Sequence, residues 1–377
     1  MVLCHEWNGK QRHGPFKVNG FKYAYAPRGF LIDYDNYSLL EEFTIGIKKL
    51  LKSKDIVAVK LSPMILKKET DKDGEILYSN PKFDEIYEYL KKLDYYHFGF
   101  NNYFEGDKPR YEAIIKLEGN DASGLFNNID KKYRTKIRSA LKKGIKIFKG
   151  NEEHINYIYE HSKNKYLKNQ SFYINIYNEF NKDNSVDFFY ATIDTKEYLD
   201  YCKAAYEKQD VVVSNLSNEI TNNNRLNKNN LINRKIVEDA KLDSCRKELI
   251  RATSLLKEHP SGIPVASIMT IKRNKEITIM MDGFDPKFKS VNAKHLLLWT
   301  LISKYNAEGF TSFNIGGVPG IKTNNPKYNG LKEFKLNFTP TITEYIGDLE
   351  LITNNTLYFA YKQSKGISKM FEKKDKA

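Results

Sequence analysis

The chain has 377 residues, of which 41% are hydrophobic and 13% are aromatic. This composition excludes a disordered chain, and the length is enough for about two domains with buried cores. The 61 Lys and Arg residues outnumber the 47 Asp and Glu residues, which gives a formal net charge of +14. Such an excess favours a polyanionic partner, namely nucleic acid, a pyrophosphate-bearing ligand or an anionic membrane face. A generally lysine-rich composition is the alternative explanation.

Two further features of the sequence concern the compartment of the protein. It contains no run of about 18 apolar residues that could span a membrane, and the polar segment 1–20 has no apolar signal-peptide core. Cys4, Cys202 and Cys245 form no Cys-x-x-Cys pair, which is typical of free thiols in a reducing compartment. We therefore expect a cytoplasmic protein, with peripheral contact at the inner face of the membrane as a further expectation.

Apolar periodicity predicts alternating helices and strands along the chain. The predicted helices are Ser38–Lys54, Phe83–Leu93, Asp130–Lys143, Glu152–Lys165, Ser171–Phe180, Val291–Asn306 and a final helix Asn355–Phe371. The predicted strands are Ile56–Leu61, Tyr111–Leu117, Asp187–Ile193, Ile263–Lys272, Glu276–Met281, Thr311–Ile315 and Tyr345–Leu349. This alternation indicates an α/β architecture.

The segment Ala204–Glu258 interrupts this alternation. It is polar, charged and free of Pro and Gly, and its apolar residues recur at helical spacing. The pattern predicts two helices that form an antiparallel hairpin, with a turn near residues 222–230, inserted between two strands. The alternative is a disordered Asn-rich insert.

Several common site motifs are not matched. The segment Gly316–Thr323 is only faintly similar to a phosphate-binding loop, because its Gly and Lys are not adjacent and Pro319 lacks an N–H donor. The segment from Glu69 begins like a calcium loop but has Asn80 where the ion needs a bidentate Glu. The histidines form no H-x-x-x-H pair. We therefore expect no metal site.

The first positive motif is a Pro-Arg-Gly turn between aromatic and apolar residues. Pro27 and Gly29 fix the backbone, while Arg28 could bind a carboxylate or phosphate of a substrate through its planar guanidinium. The alternative is a tight turn whose arginine forms an ion pair at the edge of the core.

The second motif is a basic helix that Gly144 would end. Lys131, Arg134, Arg138 and Lys142 follow one another at spacings of three and four, so they share one helical face. Four cations in a row repel each other and are better tolerated beside an anion, which favours binding to phosphates. A solvated basic face is an equally good interpretation.

The third motif lies near the C-terminus of the chain. A predicted strand ends at Gly316 and Gly317, where the backbone can approach a ligand closely. The segment that follows carries Phe334 and Lys335 on a helix. A lysine ammonium at the end of an α/β sheet can stabilise a developing oxyanion, although an ordinary surface lysine is the alternative.

These three motifs, in this order, resemble the FemABX family of peptidoglycan-branching transferases. The resemblance runs from about Tyr23 to Leu351, and the segments that carry it are Tyr25–Asp33, Lys142–Ile145, Asp282–Phe284, Phe313–Gly317 and Leu331–Phe338. It implies an α/β (α+β) fold of two GNAT-like (acyl-CoA N-acyltransferase-like) domains. The first would hold residues 1–108 and be completed by 346–377. The second would hold 109–345, with a coiled-coil arm at 204–258.

The resemblance also implies a chemistry. Such enzymes add an amino acid, here Gly, Ala or Ser, from aminoacyl-tRNA to the stem peptide of a lipid-linked or UDP-linked peptidoglycan precursor during interpeptide-bridge formation. Aminoacyl-tRNA is the co-substrate and no cofactor is implied. Lys335 would stabilise the oxyanion and Phe334 would shape the pocket. The family's precursor-binding cation falls on Lys168 or Asn169, and its aromatic residue on Tyr173.

Three rival interpretations remain open at this point. An acetyl-CoA-dependent GNAT acyltransferase would need a pyrophosphate turn, and Gln11–Phe16 matches that pattern poorly. A non-catalytic tRNA-binding or other RNA-binding protein would use the basic helix and the arm. An inactive, truncated family member would retain the fold without the activity.

Overall fold

The computed structural model describes residues 3–6, 22–166, 168–222 and 228–359. The chain forms two compact units: a first unit of residues 1–115 and 315–377, and a second unit of residues 116–314. These units assign residues 315–345 to the first unit, whereas the predicted domains assign them to the second domain. The boundaries of the GNAT-like domains themselves stay a prediction.

The secondary structure is mixed, as predicted. The N-terminal elements are β1 (Leu3–Glu6), β2 (Lys22–Ala26), α1 (Tyr37–Ser53), β3 (Ile56–Leu61), β4 (Leu66–Thr70), β5 (Ile76–Ser79), α2 (Phe83–Lys92), β6 (Tyr95–His97) and β7 (Tyr111–Lys116). The middle elements are α3 (Ala122–Asn128), α4 (Lys131–Lys142), β8 (Ile145–Lys149), α5 (Ile155–Tyr166), α6 (Gln170–Asn181), β9 (Val186–Ile193), α7 (Thr195–Asn222), α8 (Lys228–Glu258), β10 (Ile263–Arg273), β11 (Glu276–Phe284) and α9 (Ala293–Ala307). The C-terminal elements are β12 (Ser312–Val318), α10 (Pro326–Leu336), β13 (Thr341–Tyr345) and β14 (Leu349–Ile352). Short 3₁₀ turns at Glu152–His154 and Pro286–Val291 precede α5 and α9.

The first unit contains a five-stranded sheet in the order β1-β2-β3-β14-β6. Strands β2 and β3 run parallel, and β14 returns antiparallel between β3 and β6. The helices α1 and α2 bury Leu40 and Leu90 against Leu61 of β3, and all three side chains are fully buried. Burial of each such leucine contributes about 1.5–3 kcal/mol, so this contact anchors both helices to the sheet.

A second group of strands in the first unit has the order β5-β4-β13-β7. Strand β13 pairs antiparallel with β4 on one side and with β7 on the other. This arrangement places β7, β13 and the loop after β12 in the same unit as α10, which carries the predicted catalytic lysine.

In the second unit, strands β8, β9, β10 and β11 form a sheet region in which they pair antiparallel in that order. Strand β11 pairs in parallel with the start of β12 through residues 276–278 and 312–314. Ile158 of α5, Tyr173 of α6 and Phe188 of β9 form a core cluster on this sheet, and none of the three is exposed.

The predicted helical hairpin is confirmed. Helix α7 starts directly after β9 and α8 ends directly before β10, so the hairpin is inserted between two paired neighbouring strands. Gln209 on α7 donates to the backbone and the carboxylate of Glu238 on α8, at 3.1 and 2.7 Å. Leu216 is buried between the helices. Residues 223–227 of the predicted turn lie outside the described residues.

Local signals in the sequence explain where α4 starts and ends. The carboxylate of Asp130 accepts the backbone N–H of Lys132 at 2.8 Å, which caps the first turn. Gly144 follows with φ +71°, the left-handed conformation that commonly ends a helix. The predicted role of Gly144 is therefore confirmed.

Two predicted C-terminal elements differ from the structure. The predicted strand Tyr345–Leu349 is wrong, because β13 ends at Tyr345 and β14 starts at Leu349. Gly347, with φ +97°, turns the chain between them. The predicted final helix Asn355–Phe371 is helical over residues 355–359, and residues 360–371 lie outside the described residues.

Candidate functional site

Lys335 lies in the last turn of α10, over the end of β12. The helix begins at Pro326 because the side chain of Asn325 caps it, accepting the N–H of Lys327 at 3.0 Å. The ammonium of Lys335 donates to the carbonyl oxygen of Gly317 at 2.8 Å. A Cβ on Gly316 would lie 3.2 Å from the same nitrogen. The structure thus brings Lys335, Gly316 and Gly317 together, as the sequence suggested.

The position of Lys335 suits the binding of a negative charge. Its side chain is half-buried, and the partial negative charge at the C-terminal end of α10 attracts its positive charge. The hydrogen bond to Gly317 fixes the position of this positive charge at the end of β12. Phe334 packs edge-on against the buried Phe338, with ring centroids 5.6 Å apart, which fixes its ring beside Lys335.

Arg28 occupies a turn that requires an unusual backbone. The N–H of Gly29 bonds to the carbonyl of Ala26 at 3.0 Å, and Arg28 itself has φ +63°. Its guanidinium forms an ion pair with Glu112 of β7, whose side chain is only 7% exposed. The ion pair that the sequence left open as an alternative is therefore present, and it engages the group that was predicted to bind substrate.

Pro109 connects this turn to the lysine site. Its carbonyl accepts a hydrogen bond from Arg28 at 3.4 Å. A Cβ on Gly317 would lie 2.4 Å from the ring of Pro109, so only glycine fits there. The Pro-Arg-Gly turn and the Gly316–Gly317 segment therefore both lie beside Pro109.

The four cations predicted to bind phosphate lie on α4, in the second unit. Lys131, Arg138 and Lys142 are exposed, while Arg134 is half-buried and donates to Asn127 at 3.3 Å. The opposite face of the helix is buried through Tyr133, Ile137 and Ala140. The charged face is therefore available to a large anionic partner, and the structure does not bring it together with Lys335 in one unit.

Lys168, which precedes α6, and Tyr173, which lies on it, occupy different environments. Lys168 is exposed, with its ammonium 5.2 Å from the ring centroid of Phe172. Tyr173 is not exposed at all, and Ser162 donates to its hydroxyl at 3.1 Å inside the core. The apolar face of α6 turns it towards β9, and its contact with substrate stays a prediction.

A cleft of about 520 Å³ in the second unit was not predicted as a site. Its polar centre is Asp282, whose side chain is 13% exposed. The carboxylate binds the ammonium of Lys165 at 2.5 Å, pairs with Lys294 and accepts the hydroxyl of Tyr166 at 3.2 Å. Burial, together with this carboxylate, raises the pKa of Tyr166 to about 12. Burial alone would lower the pKa of Lys165, but Asp282 raises it.

His161 lies in the same cleft, and both nitrogens of its ring have hydrogen-bond partners. Its Nε2 donates to the carbonyl of Pro264 at 3.2 Å, so its Nδ1 accepts from the hydroxyl of Ser267, 2.9 Å away. Burial lowers the pKa of His161. A Cβ on Gly283 would lie 2.2 Å from the backbone oxygen of His161. This close approach explains why Gly follows Asp282 in the sequence.

Within the described ranges, no three His, Cys, Asp or Glu side chains converge in a way that would hold a metal ion. The helices in those ranges also include none with the length and apolar character needed to cross a bilayer.

The family model for the FemAB family matches residues 15–365. This chain belongs to the FemAB family. Relatives include the Aminoacyltransferase FemA of Staphylococcus epidermidis, 23% identical over 357 residues, which cover 93% of this chain and 84% of that protein. The Lipid II:glycine glycyltransferase of Staphylococcus aureus is 24% identical over 352 residues, which cover 91% of this chain and 80% of that protein.

The crystal structure of FemX has a similar fold. It matches with a TM-score of 0.65 and 20% identity over 92% of this chain and 84% of that chain. The family expected from the three motifs is therefore confirmed, and the mixed α/β architecture of this FemAB-family chain agrees with that of a solved relative. The GNAT likeness of each domain and the role of each site residue stay predictions.

Proposed function

We propose that this FemAB-family protein is an aminoacyltransferase that moves an amino acid from aminoacyl-tRNA to an amine on the stem peptide of a peptidoglycan precursor. Relatives named as an aminoacyltransferase and as a Lipid II:glycine glycyltransferase support this assignment. The observation that carries it is the ammonium of Lys335, held 2.8 Å from the Gly317 carbonyl at the end of β12.

The proposed reaction is acyl transfer. The neutral amine of the stem peptide attacks the ester carbonyl of aminoacyl-tRNA and forms a tetrahedral intermediate with one oxyanion. The C–O bond to the ribose then breaks, the amine loses a proton, and the ribose oxygen leaves as a hydroxyl. The products are a new amide and free tRNA.

Within this scheme Lys335 would stabilise the oxyanion and then the leaving ribose oxygen. A fixed charge in a partly buried site attracts the developing oxyanion more strongly than a charge in water does. Its surroundings also need no reorganisation during the reaction. The ester already supplies the driving force, so we propose that neither a metal nor a nucleotide cofactor takes part. Phe334, fixed against Phe338, would form one wall beside the reacting carbonyl.

The tRNA would bind through its phosphates to the cations of α4, namely Lys131, Arg134, Arg138 and Lys142, and to the arm formed by α7 and α8. Binding of this kind depends steeply on salt concentration. We further propose a lipid-linked or UDP-linked acceptor and peripheral contact with an anionic membrane face, which the net charge of +14 favours.

The direct test is a product assay. The protein is incubated with tRNAs charged with Gly, Ala or Ser and with either lipid-linked or UDP-linked muropeptide, and the muropeptides are weighed by mass spectrometry. The proposal predicts a mass increase of one aminoacyl residue in at least one combination. An unchanged acceptor mass in every combination, with charged tRNA still intact, would contradict it.

A further inference from the structure

A cavity of about 140 Å³ in the first unit is distinct from the position of the Lys335 ammonium. It lies between β4, β7, β13 and the loop that follows β12. The polar side chains that line it are Lys68, Thr70, Asn102, Tyr111, Lys322 and Glu344. Nothing in the proposed transfer reaction so far uses this cavity.

The cavity is surrounded by more positive than negative charge. Glu344, whose side chain is 8% exposed, forms an ion pair with the buried Arg110. The ammoniums of Lys67 and Lys68 each lie 3.7 Å from a carboxylate oxygen of Glu344. Three cations therefore share one carboxylate, and Lys322 adds a fourth positive charge at the wall.

The cations differ in how far they are already engaged. Besides Glu344, the guanidinium of Arg110 donates to two backbone carbonyls and to the hydroxyl of Tyr111 at 2.7 Å, so four of its five N–H donors are engaged. The 3.7 Å separation of Lys68 from Glu344 is too long for a hydrogen bond. The N–H donors of Lys68 are therefore oriented by attraction to Glu344 without being bonded to it.

Carboxylates in the neighbouring turn have partners of their own. The Asp71 carboxylate accepts the backbone N–H groups of Asp73, Gly74 and Glu75 at 2.8–2.9 Å. Asp73 pairs with Lys72 at 2.6 Å. The excess positive charge in the cavity is thus not cancelled by these two acidic groups.

We propose that this cavity binds a phosphate group. A partly enclosed cavity strengthens the attraction between its cations and an anion relative to water, and lysine ammoniums are common phosphate ligands. Gly320 keeps the space open, because a Cβ there would lie 3.2 Å from the ring of Tyr111 and 3.3 Å from the side-chain oxygen of Asn102. The segment Gly316–Thr323, which is faintly similar to a phosphate-binding loop, would then not bind the phosphate through its backbone N–H groups. The side chains around the loop would bind it instead.

The loop that lines the cavity also reaches Lys335. The ammonium of Lys332 donates to the carbonyls of Ile321 and Thr323, the latter at 3.0 Å, and Lys335 donates to Gly317. Gly320 lies three positions after Gly317 in the sequence, and three extended residues span at most about 11 Å. A terminal ribose and the phosphodiesters that precede it lie within such a distance of each other.

The inference rests on the proposed function, which supplies two phosphate sources. One is the acceptor end of the tRNA, and the other is the pyrophosphate of the peptidoglycan precursor. In aminoacyl-tRNA a phosphodiester adjoins the reacting ribose ester, whereas the sugar and part of the stem peptide separate the pyrophosphate of the precursor from the reacting amine. The titration therefore has to distinguish the two sources.

The test is a titration of the full chain with inorganic pyrophosphate, a short RNA that carries the acceptor end, and a UDP-linked muropeptide. Lys68→Gln and Lys322→Gln each remove one cavity charge. Lys72→Gln removes the same charge from the adjacent turn and serves as the matched control. We expect roughly tenfold weaker binding for the cavity variants, as the loss of one charge-assisted hydrogen bond predicts, and little change for the control.

The pattern across the ligands identifies the source. If the cavity variants bind RNA more weakly and the slope of log affinity against log salt falls by about one, the phosphate belongs to tRNA. If they bind the muropeptide more weakly, the phosphate belongs to the precursor. Equal effects of Lys68→Gln and Lys72→Gln, or no effect of either cavity variant, would overturn the proposal. Lys322 is exposed, so its variant remains informative if Lys68→Gln lowers the melting temperature. If the cavity variants weaken phosphate binding but the unchanged protein transfers no amino acid, the proposed function is contradicted and the phosphate site is not.

Discussion

At the residue scale, the ion pair between Arg28 and Glu112 stabilises the turn that precedes Phe30. Glu112 is 7% exposed and Arg28 27% exposed, so loss of the arginine would leave a nearly buried carboxylate without its cation. We expect Arg28→Met to lower the free energy of unfolding by about 2 kcal/mol, below the usual range for a fully buried pair. The measurement is urea unfolding at neutral pH.

The double variant Arg28→Met/Glu112→Gln is the control for this prediction. It removes both charges, so it should recover at least half of the lost stability if the cost comes from the unpaired carboxylate. Equal stability of the single and the double variant would show that the turn itself, and not the ion pair, requires Arg28.

His161 makes the stability of the second unit depend on pH. Because burial lowers its pKa, the unfolded chain takes up the proton first when the pH falls below about 6.5. Stability is then lost progressively until the pH reaches the lower pKa of the folded state. Urea unfolding at about pH 7.5 and about pH 5.5 should show a smaller difference for His161→Gln than for the unchanged chain. The same difference in both proteins would contradict this origin.

At the element scale, α5 packs closely on β11 because Gly283 has no side chain. A methyl group there would lie 2.2 Å from the backbone oxygen of His161, and a backbone atom cannot move aside cheaply. We expect Gly283→Ala to cost about 1–3 kcal/mol, the usual range for overpacking. Thermal unfolding is the measurement.

Gly330 offers a matched control for that substitution. It lies in the exposed middle of α10, and an added Cβ would meet nothing within 4 Å. Gly330→Ala should therefore stabilise the protein by about 0.5–1 kcal/mol through helix propensity. If both substitutions changed the melting temperature in the same direction, the close contact at Gly283 would not be the cause.

The basic face of α4 predicts a particular salt dependence. Replacing the exposed Arg138 and Lys142 by Gln should weaken RNA binding and lower the slope of log affinity against log salt by about two, because each phosphate contact contributes about one. Lys52 and Lys54, exposed near the end of α1, provide a control pair with the same change in net charge. If both double variants had the same slope of log affinity against log salt, the RNA would not bind at the basic face of α4.

The elements that the sequence predicted well are those with a local signal. Helix α4 has a capping Asp130 and a terminating Gly144, and the hairpin of α7 and α8 has a long periodic pattern without Pro or Gly. The strand predicted at Tyr345–Leu349 was wrong because a single glycine with positive φ outweighed its apolar residues. The resemblance identified Tyr173 by residue type, but it did not show that this side chain lies on the buried face of α6.

The order of motifs along the whole molecule identified the family, although each motif alone was weak. The meeting of Arg28, Pro109 and Gly317 could not be predicted, because these residues are distant in sequence and only the fold brings them together. The same holds for the Asp282 cluster, in which Lys165 lies 117 residues from its partner. Ion pairs of this separation leave no periodic pattern in the sequence.

The proposed mechanism makes the activity of the whole molecule depend on the positive charge at position 335. The decisive measurement is the single-turnover rate of aminoacyl transfer by Lys335→Ala, compared with Lys327→Ala, which removes an exposed lysine from the first turn of the same helix. We predict that the rate falls by about 100-fold or more for Lys335→Ala, with unchanged RNA binding and melting temperature, and stays the same for Lys327→Ala. An undiminished rate for Lys335→Ala would contradict the assignment of Lys335 as the group that stabilises the oxyanion.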